Sequence, residues 1–155
     1  MFKRMIMVFF MLFAMGAQAQ TPEKKTLQNH TFEDQFAQPM ILSVSTQWLV
    51  FSHDKSGGDW VKQALNELEF TDLEARGGIY VADISAMPSL ITRMFALPKM
   101  REYSFRMALD REGKPTADWP RADGTVTLMR LNNLEIVQLT QANSVEQIKA
   151  FLAAF

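Results

Sequence analysis

The chain has 155 residues, a formal net charge of −1, two histidines and no cysteine. That length suits one domain plus its terminal segments. The near-neutral charge argues against a nucleic-acid partner, and the lack of cysteine excludes disulfide staples and thiol–disulfide exchange.

Lys3 and Arg4 precede an apolar stretch from Met5 to Met15, and Gly16-Ala17-Gln18-Ala19 supplies an A-x-A site. This three-part pattern predicts a secretory signal over residues 1–19. The stretch is shorter than the about 20 residues of a membrane span, so no stable membrane insertion is expected after cleavage. No cysteine follows it, which excludes lipoprotein processing. Loss of Lys3 and Arg4 leaves a net charge of −3. An exported chain without disulfides must hold its fold by its core alone.

A mobile leader is expected over residues 20–31, which are polar and include Pro22 and Lys24-Lys25. Two short extended pieces joined by a turn are expected at Phe32 to Phe36 and Pro39 to Leu42. Gln47 to Ser52 is a continuous apolar run, the mark of a strand covered on both faces. Lys55-Ser56-Gly57-Gly58 breaks it. From Asp59 to Phe70 the apolar residues Trp60, Val61, Ala64, Leu65 and Leu68 share one helical face. Asp59 would sit in or just before the first turn, where its charge suits the helix dipole.

Gly77-Gly78 leads into a second strand, Ile79 to Ile84. Ser85 to Pro88 marks a helix start; Leu90, Ile91, Met94 and Phe95 read as its buried face and Pro98 as its end. Phe105 to Leu109 reads as a short strand closed by the turn Asp110-Arg111-Glu112-Gly113. Lys114 to Gly124 is turn-rich. Thr125 to Leu131 and Leu134 to Leu139 flank Asn132-Asn133, which predicts a hairpin because asparagine tolerates positive φ. Ser144 with Gln147 is a capping box before a helix that buries Val145, Ile148, Phe151 and Leu152. Alternation at the front predicts parallel strands with crossover helices, and the hairpin adds an antiparallel pair.

This order resembles the thioredoxin-like superfamily over Phe32 to Phe155. The stretch Trp48 to Lys62 is similar to the strand, loop and helix that carry the family's redox pair. Phe105 to Gly113 is similar to the extra strand and Asp-x-x-Gly turn of peroxiredoxin and TlpA-type members. Thr125 to Ile136 is similar to the strand and hairpin after the family's cis-proline. The general character also resembles small exported members of the YtfJ kind, which can lack cysteine. The resemblance implies an α/β domain over residues 32–155. It would have a central mixed sheet flanked by helices and a C-terminal hairpin plus helix.

By the same resemblance, Ser56 and Asp59 occupy the two cysteine positions, Val126 the cis-proline position, and Val50 the position of a buried acid. The frame remains without its redox parts. The resemblance thus implies a periplasmic, non-catalytic binding or adaptor protein that recognises a protein or an extended peptide with the former active-site end. The candidate residues are His53, Asp54, Ser56, Gly57, Gly58, Asp59, Thr125 and Val126, since ligands of open α/β sheets gather at the carboxyl ends of strands.

Ser52-His53-Asp54 holds the residue types of a hydrolase triad, but neighbours along a strand face opposite ways. A cysteine-independent enzyme built on His53, Ser56 and Asp59 is the alternative function. His53, Asp54 and Asp59, or His30, Glu33 and Asp34, are weak metal patterns better read as polar loops. No nucleotide fingerprint is present and no cofactor is expected. Gly57-Gly58 and Gly77-Gly78 read as sharp turns at loop positions. Arg93, Lys99, Arg101, Arg106, Arg111 and Lys114 make one stretch basic, diluted by Glu102, Asp110 and Glu112; a solvated face is the default and an acidic partner the alternative. Trp119 reads as local packing, with a partner anchor as the alternative.

Overall fold

The computed structural model describes residues 24–155, so the predicted signal lies outside the described residues. Strands β1 (His30–Asp34) and β2 (Pro39–Leu42) form an antiparallel hairpin through Ala37, at a φ of 59°. Strand β3 (Trp48–Ser52) is buried at every position, as its unbroken apolar run requires. It pairs in parallel with β4 (Gly78–Asp83), which pairs in parallel with β5 (Ala108–Asp110). Strands β6 (Val126–Asn132) and β7 (Glu135–Ala142) complete a seven-stranded mixed sheet, in the order β2-β1-β5-β4-β3-β6-β7.

Alternation along the central strands divides the core in two. Trp48, Val50, Tyr80, Ala82, Val126 and Leu128 face one cluster. Helices α1 (Lys55–Glu67), α3 (Leu97–Met100) and α4 (Val145–Leu152) fill that side. Leu49, Phe51, Ile79, Val81 and Met129 face the other cluster, which no described helix enters. Trp119 covers it edge-on, with ring centroids 5.2 Å from Phe51 and 6.2 Å from Phe32. Trp119 is therefore local packing, not an exposed anchor.

Several expectations are corrected. Residues 24–29, part of the expected leader, lie against the sheet. The Leu27 amide donates to the Leu134 carbonyl at 2.8 Å, and Leu27 is buried. The first helix begins at Lys55, not Asp59, because Asp54 caps it by accepting from the Gly57 amide at 2.7 Å. Gly57 and Gly58 are thus helical, not loop residues, and Asp59 falls in the second turn. Strand β5 starts only at Ala108, because the Met107 amide donates to the Gln35 side chain instead of a neighbouring strand. The hairpin turn is Asn133-Leu134, at φ of 49° and 68°, not Asn132-Asn133. Burial of Leu134 in the second cluster holds it in a conformation that leucine rarely adopts.

The second crossover departs furthest. Helix α2 (Ser89–Ile91) runs into a π-helical turn (Thr92–Ala96) and then α3. Pro98 does not end it: the ladder has already shifted there, with the Leu97 amide donating to the Thr92 carbonyl, so the missing proline donor falls beside a register change. The π turn stacks residues five apart, and Thr92 and Leu97 are the ones it buries. Leu90, Ile91, Met94 and Phe95, expected to be buried, are exposed.

Candidate functional site

Strand β3 delivers Ser52 and His53 to its carboxyl end, and the chain turns at once into α1. In the adjacent strand, Tyr80 shares the Ser52 face, and the two hydroxyls lie 2.8 Å apart, fully enclosed. Burial pushes the Tyr80 phenol well above its ordinary range, opposed by the bond with Ser52 and reinforced by the nearby Tyr103, Asp59 and Asp54. The phenol stays protonated and serves as a fixed hydrogen-bonding group. Gly58 sits over this pair: a Cβ there would meet the Tyr80 hydroxyl at 3.6 Å and Ser52 Oγ at 3.9 Å.

Above that floor is a cavity of about 390 Å³. His53, Asp54, Gly58 and Asp59 form one wall; Met87, Ala96, Met100, Tyr103 and Met107 form the apolar remainder. Lys55, Lys62 and Lys99 also border it. Lys55 pairs with Asp59 at 2.9 Å, and this hydrogen bond raises its pKa. Lys62 lies over the Tyr103 ring at 4.8 Å, where burial first and the Asp59 charge second push the Tyr103 phenol up. Asp83 also borders the cavity. Its burial opposes ionisation, but the Ser85 hydroxyl and amide and the Arg121 guanidinium outweigh that and hold the carboxyl below its usual range.

The wall opposite α1 is stapled to the β1–β2 hairpin. The buried Gln35 amide donates to the carbonyls of Phe105 at 2.8 Å and Met100 at 3.2 Å and accepts from Met107 at 3.0 Å. Arg106 Nε donates to the buried Asp34 carboxylate at 2.6 Å, and the Phe36 and Gln38 amides donate to its other oxygen at 2.8 Å each. Burial opposes the Asp34 charge; the Arg106 hydrogen bond, those amides and the Arg106 charge together hold its pKa below the ordinary value. These contacts position Met100, Tyr103 and Met107 along the cavity.

Of the eight candidates, His53, Asp54, Gly58 and Asp59 converge on this cavity. Ser56 is exposed at the start of α1 and does not line it. Gly57 and Val126 pack beside it: a Cβ on Gly57 would come 3.1 Å from Val126 Cγ2, so only glycine permits that approach without a shift. Thr125 Oγ1 lies 2.7 Å from the Ala122 carbonyl oxygen and 2.8 Å from Gln141 Oε1, away from the cavity. Sequence reading missed Tyr80, Met87, Tyr103 and Met107. Only Tyr80 had a legible signal, a hydroxyl on the same strand face as Ser52.

The geometry assembles no serine–histidine–aspartate relay. Ser52 is bonded to Tyr80, and His53 Nδ1, the atom that such a relay ties to a carboxylate, is buried without a hydrogen-bond partner. Among the described residues no three His, Asp or Glu side chains converge on a metal position. Asp34, part of one candidate metal pattern, is occupied by Arg106.

No protein-family model and no curated protein sequence matches the chain. Solved structures do. Peroxidoxin BcpB from Mycobacterium tuberculosis is 14% identical with a TM-score of 0.55, over 85% of this chain and 96% of that one. StoA from Bacillus subtilis is 14% identical with a TM-score of 0.53, over 81% and 96%. A SCO1/SenC family lipoprotein from Bacillus anthracis is 12% identical with a TM-score of 0.51, over 87% and 97%. The chain has a thioredoxin-like fold, and with no cysteine in its sequence it lacks the redox pair of that fold.

Proposed function

We propose that this chain is an exported, non-redox binding protein that takes an apolar side chain of an extended peptide into the 390 Å³ cavity beside α1. One observation carries the reading: His53, Asp54, Gly58 and Asp59 line a single, mostly apolar cavity at the carboxyl ends of β3 and β4. Ligand sites of α/β sheets occupy that position, and such sites combine an apolar lining with a few convergent polar groups. Asp54, Lys55 and Asp59, exposed along the cavity wall, supply polar groups for orientation. Without a cysteine thiol, the site can hold a partner but cannot exchange disulfides with it.

Selection of peptides from a random displayed library, followed by calorimetry, tests the reading. Ala86 is exposed at the cavity mouth, so Ala86→Trp blocks entry without touching the core. Selected peptides should bind the parent and lose at least about tenfold in affinity to Ala86→Trp, the scale of one buried aromatic anchor. Peptides that bind both proteins equally would remove the cavity from the proposal. Fractionation of cells with intact-mass analysis tests export: the expected product is periplasmic and begins at Gln20.

A further inference from the structure

A second surface lies outside that cavity. Leu90, Ile91, Met94 and Phe95 are 61, 42, 57 and 63% exposed and share one side of the second crossover. Single exposed apolar residues are ordinary, but four within six consecutive residues form a patch. Beside it is a hollow of about 140 Å³, lined by Ile84, Met87, Ser89, Thr92, Arg93, Leu97 and Arg111. Arg93, Arg111 and the Ser89 hydroxyl thus border a space with room for one tetrahedral oxyanion, the Thr92 hydroxyl being engaged by the Pro88 carbonyl at 3.3 Å. The nearest carboxylate to Arg111 is Glu33 at 4.0 Å, and no carboxylate pairs with Arg93 among the described residues. From Ile84 to Arg101 the sequence contains three cationic residues and no acidic one.

We infer that this surface docks peripherally on an anionic phospholipid bilayer. The four apolar side chains enter the boundary between headgroups and acyl chains, while Arg93 and Arg111 hold a lipid phosphate. Charge complementarity selects an anionic partner. The placement of an oxyanion hollow directly beside an apolar ridge repeats the layout of a phospholipid, whose phosphate lies next to its acyl chains. An acidic protein would satisfy the arginines but would also need a matching apolar groove for the ridge. No described helix is long and apolar enough to cross a membrane, so the contact is interfacial.

A chain beginning at Gln20 keeps every described residue of both core clusters and lacks the apolar stretch Met5 to Met15. That protein is sedimented with vesicles of phosphatidylcholine alone or with one third phosphatidylglycerol. Binding should require phosphatidylglycerol and weaken with salt. Arg93→Gln and Arg111→Gln should each weaken it about fivefold, and Leu90→Ser/Met94→Ser/Phe95→Ser more than about tenfold. Near-ultraviolet circular dichroism confirms that each variant is folded. Equal binding to both vesicles, or unchanged binding by the triple variant, overturns the inference. So does capture of inorganic phosphate at Arg93 and Arg111 without vesicle binding, which assigns the hollow to a free anion. Selective binding of acidic proteins without vesicle binding overturns it equally.

Discussion

Helix α1 buries Val61, Ala64 and Leu65 against the sheet, whereas the crossover from Ser89 to Met100 buries Thr92 and Leu97 and leaves Leu90, Ile91, Met94 and Phe95 exposed. Both segments are amphipathic in sequence. Helix α1 leaves β3 through a capped turn, and α4 lies alongside it, so its apolar stripe is enclosed by sheet and helix together. Among the described residues no other helix lies alongside the second crossover in this way. Its core contacts concentrate near α3, where Leu97 is buried, and the π turn rotates the preceding residues away. An apolar stripe therefore fixes that a segment has two faces, while its neighbours decide whether the apolar one meets protein or remains free for a partner.

Four substitutions would break or sharpen that contrast. Leu65→Ala should have the largest effect: it opens a cavity under α1 and should cost about 2–5 kcal/mol in urea unfolding.

Asp34→Asn tests the staple that positions the second crossover's wall of the cavity. It removes a buried carboxylate bonded to Arg106, Phe36 and Gln38 and should cost about 2–3 kcal/mol at neutral pH. Its folded pKa is depressed, so its contribution is fully present above the unfolded value of about 3.9 and is lost as pH falls through the folded pKa. Stability measured against pH should thus fall more shallowly below about pH 4 in Asp34→Asn than in the parent. Parallel curves would show that Asp34 contributes nothing to the acid limb.

Asp54→Ala removes the α1 cap and should lower stability by about 1 kcal/mol. It also loosens the wall that carries Gly58 and Asp59, so amide exchange should quicken in the first turn of α1 more than elsewhere. Phe95→Ser should change unfolding stability by less than about 0.5 kcal/mol, because the ring contributes little to the core. A loss as large as that of Leu65→Ala would mean that the two crossovers are equally buried in solution.

Much of the architecture was written locally. The unbroken apolar run of β3, the paired strand runs either side of the hairpin turn and the Ser144 cap each depend on side chains a few residues apart, so they are legible in one dimension. The Asp54 cap was present in the sequence too, but Gly57-Gly58 read as a break, because glycine's low helix propensity hides a first turn held by a cap. The hairpin turn moved by one residue because burial of Leu134, a contact with distant residues, outweighed asparagine's tolerance of positive φ.

The candidate site divides in the same way. Absence of cysteine settled from sequence alone that thiol–disulfide exchange is unavailable, since that chemistry needs particular atoms. His53, Asp54, Gly58 and Asp59 were found because strand end and helix start are contiguous. Tyr80, Tyr103 and Met107 became their neighbours only when parallel pairing and the Gln35 and Arg106 contacts joined residues tens of positions apart. Tertiary packing alone decided which apolar stripe was buried and which stayed exposed, because burial depends on what stands opposite a face and no local pattern encodes that.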